Sequence, residues 1–164
     1  MIIRPATPLD HGAIWQLLEP TLREGETYAL EPDMGRTDAL AYWTGRDKQT
    51  FVALIESQVV GTYYLRANQL GGGKHVANCG YVTWTAARGR GVAREMCLHS
   101  MEEARQRGFL GMQFNFVIST NERAVRLWKS LGFEIVGRLP AAFGHPRHGY
   151  VDAFVMFRDL APAP

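Results

Sequence analysis

The sequence predicts one α/β domain, a mixed sheet with helices on both faces. Three observations carry that expectation. Strand-like runs alternate with stretches of three- and four-residue apolar period in the order β, α, α, β, β, β, α, β, α, β, β. The 164 residues hold no internal repeat and no interdomain linker, so they suit one domain over residues 1–160, with 161–164 as a loose tail. Glycine, 17 residues in all, stands mostly at joints between elements.

The elements follow in order. Ile2 to Thr7 reads as a short strand entering a turn. Asp10 offers an N-cap for a helix carrying Ile14, Leu17 and Leu18, which Pro20 should end. Residues 21–35 show no period and read as a loop. Thr37 to Tyr42 starts a second helix that Gly45 ends. Thr50 to Glu56 and Val59 to Ala67 are β-branched and aromatic runs around Ser57-Gln58, a hairpin signal. After the loop NQLGGGKH, Asn78 to Trp84 is a strand. Arg88 to Arg107 reads as a long helical stretch that Gly108 closes. LGMQFNFVIS is a strand. Asn121 caps a helix with Ala124, Leu127, Trp128 and Leu131 on one face, ended by Gly132. FEIVGRL and YVDAFVMF are the last strands, joined by a loop PAAFGHPRHG.

Composition narrows the function. Hydrophobic residues make up 46% and charged residues 21%, and 18 Lys+Arg against 16 Asp+Glu leave a net charge of +2. That balance argues against a nucleic-acid partner and against an anionic membrane surface. No window approaches the roughly 18 consecutive apolar residues of a membrane span, and no signal peptide is visible. Cys79 and Cys97 form no CxxC and have no His at metal spacing, so they read as small buried apolar residues and no metal site is expected. A reducing cytoplasm is the expected location.

The strongest local feature is ARGRGVARE, where Arg88, Gly89 and Gly91 stand between a strand and a long helix. Such a joint aims backbone N–H groups at a phosphate, and the helix start adds unpaired donors and partial positive charge. Arg90 and Arg94 add charge nearby, and Ala93 keeps the first turn open. Two common phosphate motifs are absent. There is no GxxxxGK[ST], and Gly89-x-Gly91 is followed by Arg94 where GxGxxG needs its third glycine.

At these residues the chain resembles the GNAT N-acetyltransferases, which use acetyl-CoA. Arg88-x-x-Gly91-x-Ala93 is similar to that family's (Gln/Arg)-x-x-Gly-x-(Gly/Ala) pyrophosphate loop. Asn121-x-x-Ala124-x-x-Leu127-Trp128-x-x-x-Gly132-Phe133 is similar to its second motif. The resemblance spans nearly the whole chain. It implies a GNAT fold: a mixed, mostly antiparallel central sheet of about seven strands, splayed between the fourth and fifth, with helices on both faces. It implies that the amides of Gly89, Arg90, Gly91, Val92, Ala93 and Arg94, beside Arg88, hold the CoA pyrophosphate. It implies that the backbone of Tyr81, Val82 and Thr83 pairs with the pantetheine, and that Asn121 contacts the same arm.

Acetyl transfer to an amine requires loss of a proton, polarisation of a carbonyl and stabilisation of a leaving thiolate. Many family members place a Tyr, the thiolate's proton donor, where this chain has Trp128, an indole that reads as packing against the CoA arm. Some relatives carry a Glu base on the strand after the long helix, and QFNFVIS has none. Asn115 puts an amide there instead, costly in mid-strand unless satisfied. A narrower resemblance, through GTYYLRANQLGGGKHVANCGYV, FNFVISTNERAVRLWKSLGFEIVGRLP and VDAFVMFRDL, is to the subgroup that includes azetidine-2-carboxylate N-acetyltransferases. It implies that Asn115 holds a small, proline-like amine, with catalysis resting on orientation and proximity. The loop Leu22 to Met34 does not match that subgroup. Of the other polar candidates, His75 reads as a turn residue, and Asn68 and Asn78 as turn formers. His145 and His148 read as solvent-exposed, with lining of the acceptor mouth as the alternative. Asp152 either pairs with an Arg or faces the site. Glu24, Glu26 and Tyr28 read as residues of a solvated loop, with closing of the acceptor pocket, as that loop commonly does in the family, as the alternative.

The expected function is therefore acetyl-CoA-dependent N-acetylation of a small-molecule amine by direct attack in a ternary complex. Acetylation of a protein N-terminus or lysine is the alternative within enzymes, and a non-catalytic acyl-CoA sensor the alternative outside them. The family resemblance also admits a homodimer.

Overall fold

Seven strands form one sheet in the order β1-β2-β3-β4-β5-β7-β6. They are β1 (Ile2–Pro5), β2 (Gln49–Ile55), β3 (Gln58–Ala67), β4 (Val76–Thr83), β5 (Gly111–Ile118), β6 (Glu134–His145) and β7 (Gly149–Asp159). The helices are α1 (His11–Glu24), α2 (Arg36–Trp43), α3 (Val92–Gln106) and α4 (Glu122–Ser130). This computed structural model describes residues 1–87 and 89–161. Arg88 and the tail at 162–164 lie outside the described residues. All strand pairs are antiparallel except β4 and β5, so the mixed, mostly antiparallel GNAT-type sheet is the one formed.

Alternation along the strands supplies two cores. Val52, Tyr64 and Val82 face α1 and α2 and pack with Ile14, Leu18 and Trp43. Phe51, Tyr63, Leu65 and Cys79 face the other way and pack with Met96, Cys97 and Met101 of α3. Helices thus cover both faces, as the element order predicts. The β2–β3 turn has the expected two residues but stands one position earlier, at Glu56-Ser57. Ile55 pairs with Gln58, and Glu56 and Ser57 take positive φ (49° and 65°), the geometry of a two-residue type I′ turn.

Two elements run further than the sequence suggests. Helix α1 passes through Pro20 and ends at Gly25, whose φ is +63°. Pro20 lacks the N–H of one helical bond, but Leu22 completes a buried Ile14–Leu18–Leu22 stripe. Burying that leucine contributes roughly 2 kcal/mol toward offsetting the proline. The segment PAAFGH is strand, since β6 continues to His145 and pairs Phe143 with Val151. Two extra residues bulge out between Leu139 and Phe143, and Ala141 there has a φ of +50°. Asp152 fixes the bulge by accepting from Ala141 N–H (2.9 Å) and Arg138 Nε (2.5 Å). Asp152 is therefore an Arg partner. Helix α3 begins at Val92, four residues later than expected, because Gly91 is its left-handed N-cap with a φ of +77°. Gly45 does not cap α2, which ends at Trp43 with Thr44 as its C-cap.

Asp10 anchors the N-terminus but does not cap α1 with its side chain. Its buried carboxylate accepts from both terminal nitrogens of Arg4 (2.9 and 2.8 Å) and from Thr7 N–H (2.7 Å). These bonds, the Arg4 guanidinium first, hold its carboxyl well below the usual range. A depressed folded-state value stabilises the protein above the unfolded value of about 3.9 and is lost as pH falls through the folded value. Asp10→Asn is expected to cost about 1–2 kcal/mol at pH 7, after allowance for the exposed side of Arg4. Urea denaturation should show the gap to wild type closing below pH ~4.

Candidate active site

Strands β4 and β5 share only two rungs, Val76 with Gly111 and Ala77 with Met112. Past them the strands part. The Asn78 side chain bridges the first missing rung, donating from Nδ2 to Gln113 O at 3.0 Å. The β3–β4 ladder fixes what the open edge of β4 offers. Trp84 N–H donates to Val60 O at 2.8 Å, and antiparallel bonding alternates from there. The N–H and C=O of Tyr81 and Thr83 thus turn away from β3, into the splay, whereas those of Val82 turn toward β3. Of the three residues predicted to pair with an extended ligand, two present free-edge backbone. Val82 contributes a buried side chain (4% exposed) instead.

On the facing strand, Phe114 pairs with Met156 and Val117 with Phe154, so one extra residue bulges at Asn115–Phe116. Bulges re-aim side chains next to sites. Here the bulge sets Asn115 on a cavity of about 260 Å³ with Tyr28, Arg66, Gly80, Phe116 and Trp128. Asn115 Nδ2 donates to Asn68 Oδ1 at 2.7 Å, and its Oδ1 accepts from Gln113 Nε2 at 2.9 Å. Each end of the amide keeps one further bonding position. Trp128 is buried, its ring 5.1 Å from those of both Tyr81 and Phe114. It forms an apolar wall of the cavity.

A second cavity of about 390 Å³ shares Thr27, Tyr81, Asn121, Ala124 and Trp128 with the first, so the two form one cleft. It reaches Thr83 and Ala93 at the start of α3. The helical ladder there opens with Glu95 N–H on Gly91 O (3.0 Å), which leaves the preceding first-turn amides without intrahelical acceptors. Gly89 and Gly91 have φ of +84° and +77°, and a Cβ on either would meet nothing within 4 Å. Open space over unpaired donors at a helix start is a cradle for an anion. Arg90 is spent differently from the prediction, because its N–H donates to Ala87 O at 3.2 Å. Arg94 is exposed, with Nη1 3.4 Å from Ser130 Oγ. Asn121 caps α4, its Oδ1 accepting from Ala124 N–H at 3.2 Å.

The model of the Acetyltransferase (GNAT) family matches residues 12–133. The chain belongs to that family. Over 148 residues it is 31% identical to N-acetyltransferase aca1 of Schizosaccharomyces pombe, across 80% of this chain and 71% of that protein. Its fold matches a GCN5-related N-acetyltransferase from Kribbella flavida at a TM-score of 0.92, with 40% identity over 96% of each chain. A phosphinothricin acetyltransferase from Sinorhizobium meliloti, solved in complex with acetyl-CoA, shares the fold at a TM-score of 0.85 and 22% identity, over 98% of this chain and 88% of that one.

Several side chains of this GNAT acetyltransferase stand elsewhere than the sequence suggests. His145 is buried, not solvent-exposed, and lines the cleft. Its Nδ1 accepts from Arg147 N–H (3.1 Å), so the neutral ring carries its proton on Nε2, 4.0 Å from Glu26. Arg147 Nη2 lies 2.7 Å from the same carboxylate, tying the α1–α2 loop to the β6–β7 hairpin. His148 and His75 are exposed, and His75 Nδ1 sits 3.1 Å from Gly72 O in its own turn. Tyr28 leaves the loop for the cleft and donates to Tyr81 O at 2.8 Å. Burial pushes the thiols of Cys79 and Cys97 up to about 12, which keeps both protonated and poor as nucleophiles. Among the described residues, no three His, Cys, Asp or Glu are grouped to hold a metal, and no helix is long and apolar enough to cross a membrane.

Proposed function

We propose that this enzyme transfers the acetyl group of acetyl-CoA directly to the amine of a small molecule, with a cyclic, proline-like amino acid as the first candidate. The observation that carries the reading is the single cleft between β4 and β5. It has an anion cradle at one end and the Asn115 bulge at the other. The amides of Gly91, Val92, Ala93 and Arg94, with Gly89 giving close approach, would hold the pyrophosphate. Arg88 and Arg90 would add charge beside it. Tyr81 and Thr83 would pair with the pantetheine as an added strand, and Asn121 and Trp128 would flank it. Bound acetyl-CoA supplies an activated acyl carbon, whose C–S bond breaks as the C–N bond forms.

Asn115 orients the acceptor through its remaining N–H and lone pair, so the step relies on placement. A cavity of about 260 Å³ walled by Tyr28, Phe116 and Trp128 suits a small acceptor better than a peptide. Two free, buried cysteines suit a reducing compartment, and the cytoplasm is the location we assign. CoA release should be measured over a panel of amino acids, cyclic amines and peptides. Turnover is expected with small amines, fastest with proline-like ones. Tight acetyl-CoA binding without turnover on any amine would overturn the enzyme reading.

A further inference from the structure

Trp128 leaves a gap in the chemistry. An indole N–H is a poor acid, and the leaving thiolate needs a donor. The cleft contains a different hydroxyl. Tyr28 comes from the α1–α2 loop, 53 residues from the strand it reaches, and donates to Tyr81 O at 2.8 Å. That carbonyl faces the splay by the ladder alternation described above. The ring is held edge-on to Trp43 at 5.8 Å and packs on the α1–α2 core, so the hydroxyl is positioned by buried side chains. The Tyr81 hydroxyl itself points to the α3 face, where it lies 2.7 Å from Ser100 Oγ.

We infer that the Tyr28 hydroxyl is a catalytic hydrogen-bond donor to the leaving thiolate, filling on the opposite wall of the cleft the role that Trp128 cannot. The inference rests on the acetyl-CoA reading above. The phenol has one O–H, which lies on Tyr81 O; rotation about its C–O bond turns that proton onto the sulfur, and Tyr81 O then accepts from a ligand amide instead. Burial raises the phenol's pKa, so it stays a donor throughout the neutral range. A phenol is also less acidic than an alkyl thiol (about 10 against about 8.5). Tyr28 therefore stabilises the departing sulfur without surrendering its proton. As the C–N bond forms and the C–S bond breaks, the amine's proton passes to water and the thiolate later takes one from water.

The test reads the donor without turnover. The thiol of CoA bound to the protein is titrated between pH 6 and 9 by thiolate absorbance, a window in which Cys79 and Cys97 stay protonated. The bound thiol is expected to ionise about one pH unit lower on wild type than on Tyr28→Phe. A 3-fluorotyrosine at position 28, a more acidic phenol of nearly the same shape, should lower it further even if Tyr28→Phe folds poorly. In steady state, Tyr28→Phe should lose about 100-fold in kcat with KM for acetyl-CoA within about twofold. Equal thiol ionisation in wild type and both variants, or an unchanged kcat in Tyr28→Phe where the wild type turns over, overturns the Tyr28 role alone. A folded wild type that binds no CoA overturns the cofactor reading and this role together.

Discussion

Gly91→Glu is expected to give a folded protein that has lost at least about 100-fold of its affinity for acetyl-CoA, some 2.7 kcal/mol. Two effects add. Gly91 is the N-cap of α3 at φ +77°, a conformation costing an L-residue about 1–2 kcal/mol. That strain alone is local, since a Cβ there meets nothing within 4 Å. The second effect is specific to the ligand. The new side chain rises into the open space above the unpaired first-turn amides and sets a carboxylate where the pyrophosphate should lie. Gly91→Ala separates the two, because it keeps the strain and omits the charge. Calorimetric titration with acetyl-CoA should rank wild type above Gly91→Ala, and Gly91→Ala well above Gly91→Glu. Normal affinity in a folded Gly91→Glu protein would remove the cradle from α3.

The contrast between Gly91 and Tyr28 shows what the chain's order can disclose. Gly91, Asn121 and Gly132 do their work within a few residues of themselves, as caps, and local pattern finds such residues. Asn121 caps α4 as expected, and Gly132 leaves it with a φ of +82°. Pro20 misleads because its penalty is local, whereas the burial of Leu22 that offsets it depends on the sheet beneath. PAAFGH reads as loop for the same reason. Its bulge is held by Asp152, 11 residues beyond Ala141 on the next strand. The cleft's electrostatic frame is longer-ranged still. Glu26 and Arg147 are 121 residues apart, and nothing near either one signals the other. Asn115 stood out as an amide in an apolar strand, but the register slip that aims it belongs to the pairing of β5 with β7.

Asn115→Ala should lower kcat by about 100-fold while leaving acetyl-CoA affinity within about twofold. The side chain lines the cavity at the end of the cleft where we propose the acceptor binds, and its two bonds go to Asn68 and Gln113. They hold the amide plane and leave one N–H and one lone pair for a ligand. Removing the amide also frees Asn68 Oδ1 and Gln113 Nε2, both on half-buried side chains that water can reach. The stability cost should therefore stay near 1 kcal/mol, and thermal melting separates that cost from the kinetic one. Asn115→Asp refines the assignment. It keeps the shape, yet sets a carboxylate against Asn68 Oδ1 and offers no N–H. If the N–H of Asn115 meets the carboxylate of an amino-acid acceptor, Asn115→Asp should raise the acceptor KM more than Asn115→Ala does, through like-charge repulsion. If the amide only braces the bulge, both variants should lose acetyl-CoA affinity and turnover in parallel, and Asn115 would be a structural residue.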